Sequence, residues 1–238
     1  MRRRFFVAQF ENQQAVMEGE AAHHLGRVLR AQLGQQYELS DGAELWLAEI
    51  ANVGRDRVQF NLLEALPVYK SSPETVLLLA LVKFDAFEWA LEKATELGVA
   101  EIIPLAAERS EKGLLQAAVK RSERWMRILL EASQQSRRVR LPKLHAVATP
   151  VAAFKSFQGG VRVMLSESSE ARPLKAVLGG QEAERAALAI GPEGGWTGAE
   201  FDAARSYEFA EASLGRLILR TETAVVAALA SINFALAS

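Results

Sequence analysis

Ala186-Ala187-Leu188-Ala189-Ile190 runs without a polar side chain into Gly191-Pro192-Glu193-Gly194-Gly195, and Thr197-Gly198-Ala199-Glu200 follows at once. A short, wholly apolar run is a strand buried on both faces. Thr197 with Glu200 three residues on is a capping box that opens a helix. The same alternation repeats outward from this strand–glycine loop–helix unit. Residues 76–82 form an apolar strand ahead of a helix at 85–97, with Asp85 and Glu88 spaced as a capping box and Gly98 placed to end it. Residues 102–105 read as a strand. Residues 120–136 read as a helix with Trp125, Ile128, Leu129 and Ala132 on one stripe. Strands at 161–165 and 209–214 follow. The last helix carries Val225, Leu229, Ile232 and Leu236 at i, i+4, i+7 and i+11, a stripe for a core or a subunit interface. Strands alternating with helices predict an α/β fold with a mostly parallel sheet covered on both faces.

Residues before about 68 read differently. Tyr37–Ser40 leads into the hairpin signal Asp41-Gly42, residues 44–53 follow, and Val58, Phe60 and Leu62 alternate with polar neighbours. One helix is expected at 20–31, with Leu25, Val28 and Leu29 on one face. Short strands and tight turns predict a small β-barrel. Pro67 and Lys70-Ser71-Ser72-Pro73 mark a linker, so the expected domains are 1–70 and 73–238.

The 238 residues are long enough for a full core. The absence of cysteine excludes disulfides, thiol nucleophiles and Cys-containing zinc sites, and fits a reducing compartment. His23, His24 and His145 are too scattered for a metal cluster, so no metal is expected. Net charge is −1, so nucleic-acid binding would rest on local basic patches. Arg2-Arg3-Arg4-Phe5-Phe6-Val7 lacks the continuation of a signal peptide, and the uncharged stretch 224–238 is short for a bilayer span. No membrane partner is expected, and the expected location is the cytoplasm.

In open parallel sheets, ligands bind beyond the carboxyl ends of the strands. Three loops stand there: Ser166-Glu167-Ser168, the glycine loop 191–195, and residues 214–223. The glycine loop is neither a dinucleotide fingerprint nor a phosphate loop. Its glycines let a ligand approach bare backbone, which suits a flat neutral ring such as adenine; a plain turn and helix cap is the alternative. In the third loop, Thr221 or Thr223 can cap the last helix, and Glu222 suits its positive end. That dipole disfavours Arg220, which therefore reads as facing a ligand or a carboxylate. Arginines cluster in 120–143 and in the N-terminal part, where RNA phosphate contacts or solvated surface are both open. Glu88, Glu92, Glu96 and Lys93 read as solvated or paired helix surface.

Together, Ile190-Gly191-Pro192-Glu193-Gly194-Gly195, Leu214-Gly215, residues 218–224 (Ile-Leu-Arg-Thr-Glu-Thr-Ala), residues 93–99 (Lys-Ala-Thr-Glu-Leu-Gly-Val), residues 131–138 and His24-Leu25-Gly26-Arg27-Val28-Leu29-Arg30 resemble the RsmE family, 16S ribosomal RNA uridine-N3 methyltransferases of the SPOUT class. The resemblance spans essentially the whole chain. It implies a PUA-like RNA-binding β-barrel at 1–70 and a SPOUT methyltransferase domain at 73–238. That domain would carry a C-terminal trefoil knot, a rare exception to topology rules. It also implies a homodimer, the cofactor S-adenosyl-L-methionine, and 16S rRNA in the small ribosomal subunit as substrate. Carried over by position, the cofactor neighbourhood is Leu165, Ser166, Gly191, Pro192, Glu193, Gly194, Gly195, Leu214, Gly215, Leu219, Arg220 and Thr223. The expected catalytic pair is Arg220, stabilising charge on a uracil oxygen, and Glu222, sharing with water the role of proton acceptor. Expected RNA contacts are Arg2, Arg3, Arg4, Arg27, Arg30, Arg121, Arg124, Arg127 and Arg138. The chain departs from the family pattern at Lys83-Phe84-Asp85-Ala86, at Gln134 and at Arg216-Leu217. Another RNA target within the class, or a non-catalytic RNA-binding assembly factor, are the alternative functions.

Overall fold

The computed structural model describes residues 3–69 and 73–236. Two structural units divide the chain: Met1–Lys70 with Ser133–Leu141, and Ser71–Ala132 with Pro142–Ser238.

The first unit is a curled six-stranded sheet around one small core. Its strands are β1 (Arg4–Phe6), β2 (Phe10–Glu11), β3 (Gln14–Glu18), β4 (Gln36–Ser40), β5 (Leu45–Val53) and β6 (Arg57–Ala65), in the order β1-β4-β5-β6-β3-β2. β1 runs parallel to β4; the other pairs are antiparallel. Register shifts in the β5–β6 pair bend the sheet. β1 and β2 stay at its edges, so it is a half-barrel rather than a closed one. Val58 and Phe60 point inward, as the period-2 pattern predicts, and meet Phe5, Leu25, Leu39 and Ile50. At the hairpin, Gly42 takes φ +92°, and the Asp41 carboxylate accepts from the Ala43 and Glu44 amides.

The helix expected at 20–31 is instead α1 (Gly19–His23) followed by a π-helical turn over His24–Val28. Leu29 N–H reaches back to His24 O, and Arg30 is left-handed at φ +50°. The widened turn buries Leu25 completely while His23, His24, Arg27, Val28 and Arg30 face outward. Gly26 lies inside it, where a Cβ would touch Val53 Cγ1 at 3.4 Å.

The second unit is built on a seven-stranded sheet in which every pairing is parallel. Its strands are β7 (Glu74–Ala80), β8 (Glu101–Leu105), β9 (Lys143–Leu144), β10 (Val161–Leu165), β11 (Arg172–Pro173), β12 (Arg185–Ile190) and β13 (Ala210–Ser213), in the order β11-β13-β10-β12-β7-β8-β9. Alternate residues of β7 serve two cores. Leu77 and Leu79 pack with α2 (Phe84–Glu96), α3 (Lys112–Gln135), α5 (Leu174–Leu178) and α7 (Thr221–Leu236). Val76, Leu78 and Ala80 pack with α4 (Pro150–Ser156) and α6 (Gly198–Ser206). Burial on both faces is why the strand reads as an unbroken apolar run.

The helix ends at Thr197 and Gly98 follow the local chemistry, and the start of α2 does not. Thr197 and Glu200 form the expected capping box, and Gly98 ends α2 at φ +87°. The capping box expected at Asp85 and Glu88 does not form. α2 starts one residue earlier, Lys83 precedes it without a side-chain cap, and Glu88 is buried against α3. α3 begins at Lys112, eight residues before the apolar stripe signalled it, because Leu114 and Ala118 extend its inner face. α7 buries Val225, Leu229, Ile232 and Leu236, at about 1.5–3 kcal/mol per side chain. No described helix is long and apolar enough to cross a membrane.

Candidate active site

Strands β10, β12 and β13 are neighbours or next-neighbours in the sheet, so the loops at their carboxyl ends meet. They surround a cavity of about 530 Å³, inside the range of pockets that take a nucleoside-sized ligand. Leu165 and Ser166, the glycine loop 191–195, and residues 214–221 all line it, joined by Trp196, Phe201, Ala224 and Arg109.

The glycine loop is held by side chains on both sides. The Trp196 indole donates to Leu165 O at 2.9 Å, tying the loop to the end of β10. The Thr221 hydroxyl donates to Gly191 O at 3.3 Å, tying it to the start of α7. Arg109 donates to Gly194 O at 2.9 Å. At two glycines space is tight. A Cβ at Gly191 would stand 3.0 Å from the Trp196 ring, and one at Gly194 would stand 3.2 Å from Arg109 Cβ. Gly195 is required by conformation, at φ +70°. The lining therefore combines apolar walls with bare backbone.

Eleven of the twelve sequence-predicted cofactor positions line this cavity: Leu165, Ser166, Gly191, Pro192, Glu193, Gly194, Gly195, Leu214, Gly215, Leu219 and Arg220. Thr223 does not; it is exposed in the first turn of α7, whereas buried Thr221 and half-buried Ala224 line the cavity. Glu222 is also outside the lining, half-buried in that turn. Arg220 is exposed into the cavity and has no carboxylate partner among the described residues. Arg109, Trp196 and Phe201 carried no motif; only the fold brings them here. No cluster of metal-ligating side chains occurs among the described residues.

The arginines predicted to touch RNA fall into two groups. Arg3, Arg27, Arg30 and Arg127 are exposed. Arg4 is not available: its side chain is 10% exposed and donates to Glu38 at 2.7 Å and 3.0 Å. Arg137 takes the other Glu38 oxygen. Burial pulls the Arg138 guanidinium down to about 10, still charged at neutral pH, and its Nε donates to Arg140 O. Arg121 and Arg124 reach Glu88 at 2.7 Å and 2.8 Å, and Arg121 lies over the Phe84 ring. Glu88 is thus no solvated helix surface. Burial pushes its carboxyl up, but hydrogen bonds from Arg124 and Arg121, and their charges, outweigh this and hold it below the usual glutamate value. Lys93 does lie at the surface, and hydrogen bonds to Glu92 and Glu96 push its ammonium up. Arg2 lies outside the described residues.

Comparison with known proteins agrees with this geometry. The family model for the RNA methyltransferase domain matches residues 70–233, and that for the RNA methyltransferase PUA domain matches residues 18–63. The chain is 36% identical to the ribosomal RNA small subunit methyltransferase E of Synechocystis, over 91% of this chain and 71% of that one. It is 33% identical to the Bacillus subtilis protein of the same name, over 91% and 88%. The crystal structure of the Neisseria gonorrhoeae ribosomal RNA small subunit methyltransferase E bound to S-adenosyl methionine superposes with a TM-score of 0.88 at 27% identity, covering 100% and 99% of the two chains. By sequence over both units and by fold over its whole length, the chain belongs to the ribosomal RNA small subunit methyltransferase E family.

Proposed function

We propose that this chain transfers a methyl group from S-adenosylmethionine to N3 of a uridine in 16S ribosomal RNA. One observation carries the reading: a nucleoside-sized cavity walled by a glycine loop whose backbone is kept bare, with an unpaired guanidinium at Arg220. The residues fit the cofactor. At Gly191 and Gly194 a side chain would crowd Trp196 and Arg109, so the loop carries none there and offers backbone N–H and C=O groups to an adenine edge. Leu165, Leu214 and Leu219 supply apolar walls. Bound there, S-adenosylmethionine supplies an electrophilic methyl on a sulfonium.

The chain's own task is to hold and activate the acceptor. Uracil N3 carries a proton and becomes nucleophilic when that proton leaves. Arg220 stabilises the negative charge that then spreads onto a uracil carbonyl oxygen. Water takes the proton, because Glu222 stands outside the cavity lining. The methyl passes from sulfur to N3 in line, and the proton passes to the acceptor, so charge balances. N3 is occupied in a Watson–Crick pair, so the target base enters unpaired or flipped out. The cavity gives the alignment that such a displacement needs.

Under the same reading, residues 1–70 grip RNA, residues 73–238 carry the chemistry, and the loops around the cavity form a trefoil knot. The remaining RNA contacts come from the exposed arginines Arg3, Arg27, Arg30 and Arg127. The chain works as a homodimer in the cytoplasm; light scattering on the purified chain tests the dimer. Transfer of labelled methyl to small subunits, followed by mass spectrometry of the nucleosides, tests the activity. N3-methyluridine in 16S rRNA is the expected product. A different methylated nucleoside refutes the target, and no transfer refutes the activity.

A further inference from the structure

We propose that Arg109 is an oxyanion-binding residue at the rim of the same cavity. It takes either the carboxylate of the cofactor's methionine tail or an RNA phosphate beside the target nucleotide. The inference rests on the reading of the cavity given above.

Arg109 stands on a fixed perch between β8 and α3. Ser110 N–H donates to Ala107 O at 3.0 Å, and the Ser110 hydroxyl donates to Leu81 O at 2.8 Å. Next to it, Glu108 N–H donates to the Glu200 carboxylate at 3.0 Å, the same carboxylate that caps α6. The stem of Arg109 then lies along Gly194, occupying the space a side chain there would need. One guanidinium N–H is spent on Gly194 O. The rest of the planar donor fork, and the whole positive charge, are unmatched: no carboxylate of the described residues lies within ion-pair distance of Arg109. Elsewhere in the chain, Arg4, Arg121, Arg124, Arg137 and Arg162 all have such a partner. A guanidinium held in one geometry at the edge of a ligand cavity, with its fork unfilled, matches a carboxylate or phosphate in two parallel hydrogen bonds. Because its stem is already immobilised, little side-chain entropy is lost when the anion arrives.

Two variants separate this from a merely structural brace. Arg109→Gln keeps a donor for Gly194 O and removes the charge, whereas Arg109→Lys keeps the charge. The probes are S-adenosylhomocysteine, its decarboxylated analogue, and 16S rRNA at several salt concentrations, each titrated into the full chain. Arg109→Gln is expected to weaken one ligand about tenfold, the loss of one charge-assisted contact, with Arg109→Lys recovering part of it. If the anion is the cofactor's carboxylate, S-adenosylhomocysteine weakens and the decarboxylated analogue binds wild type and variant alike. If it is a phosphate, S-adenosylhomocysteine is unchanged and the RNA log–log salt slope falls by about one counterion. Wild-type binding of S-adenosylhomocysteine and 16S rRNA with Arg109→Gln indistinguishable from it overturns the assignment alone. A wild-type chain that binds neither S-adenosylhomocysteine nor 16S rRNA overturns the reading of the cavity and this assignment with it.

Discussion

Arginine occurs in two opposite states in this chain. At the cavity, Arg109 and Arg220 have no acidic partner among the described residues. Away from it, Glu38 holds Arg4 and Arg137, and Glu88 holds Arg121 and Arg124. The side chain is the same; the buried carboxylate makes the difference. A cation neutralised by a buried acid is structural, and a cation left unmatched on a fixed loop can serve a ligand. A row of arginines in sequence therefore does not say which of them can meet RNA. In α3, Arg124 is committed to Glu88 and Arg127 is not, although they lie three residues apart.

The sharpest separation is expected at Arg220. Arg220→Ala should lower methyl transfer by about a hundredfold or more, the usual cost of removing a donor to developing charge. Its melting temperature should stay near wild type, because no ion pair is lost. A variant with full activity would end the distinction between the two arginine states.

Glu88 tests the other state. Glu88→Ala removes a buried acceptor and leaves two partly exposed guanidiniums unmatched, which should cost about 2 kcal/mol. For a chain of this size that is a drop of roughly 4–8 °C in thermal melting. The contribution also has a pH signature. The folded carboxyl titrates below its unfolded value, so its stabilisation is present above the ordinary glutamate range and is lost as pH falls through the lowered folded value. Glu88→Gln should therefore flatten the acid side of the stability profile. An unchanged acid limb would show that the clamp does not stabilise the fold.

A smaller contrast separates neighbours on α3. Arg127→Ala should leave melting unchanged and reduce the salt slope of RNA binding by about one counterion. Arg124→Ala should cost about 1 kcal/mol in stability, discounted because its side chain is two-thirds exposed. Identical behaviour of the two would remove the distinction. Lys93 should matter least. Lys93→Ala breaks surface pairs with Glu92 and Glu96, worth about 0.5 kcal/mol together. What it loses is present at neutral pH and fades only as pH rises through the raised ammonium value.

The same comparison shows what was legible in the chain's letters. Strands buried on both faces announce themselves as apolar runs, so β10 and β12 are found to within one residue and β7 with its bounds shifted by two. Thr197 and Glu200 name their helix because a capping box is a local device. The glycine loop is legible because close backbone approach demands small residues in a row. Partnerships made by the fold are not. Glu88 and Arg121 are 33 residues apart, and Glu38 and Arg137 are 99 apart; no local pattern links either pair. That is why Glu88 read as solvated or paired surface rather than as a buried acid, and Arg4 as an RNA contact. Arg109 was silent for the same reason, lying 85 residues from the carbonyl it grips. The π-helical turn at His24–Val28 escaped because one extra residue in a single turn leaves no period of its own in so short a stretch. The short α4 and α5 carry too few residues to show a period.

The most direct measurement is a crystal structure of this chain grown with S-adenosylhomocysteine. Density for the adenosyl group among residues 165–166, 191–195 and 214–220, with main-chain atoms of the glycine loop in hydrogen-bond distance of adenine, is the predicted result. A glycine loop left bare at saturating ligand, or adenosyl density at any other surface, contradicts it.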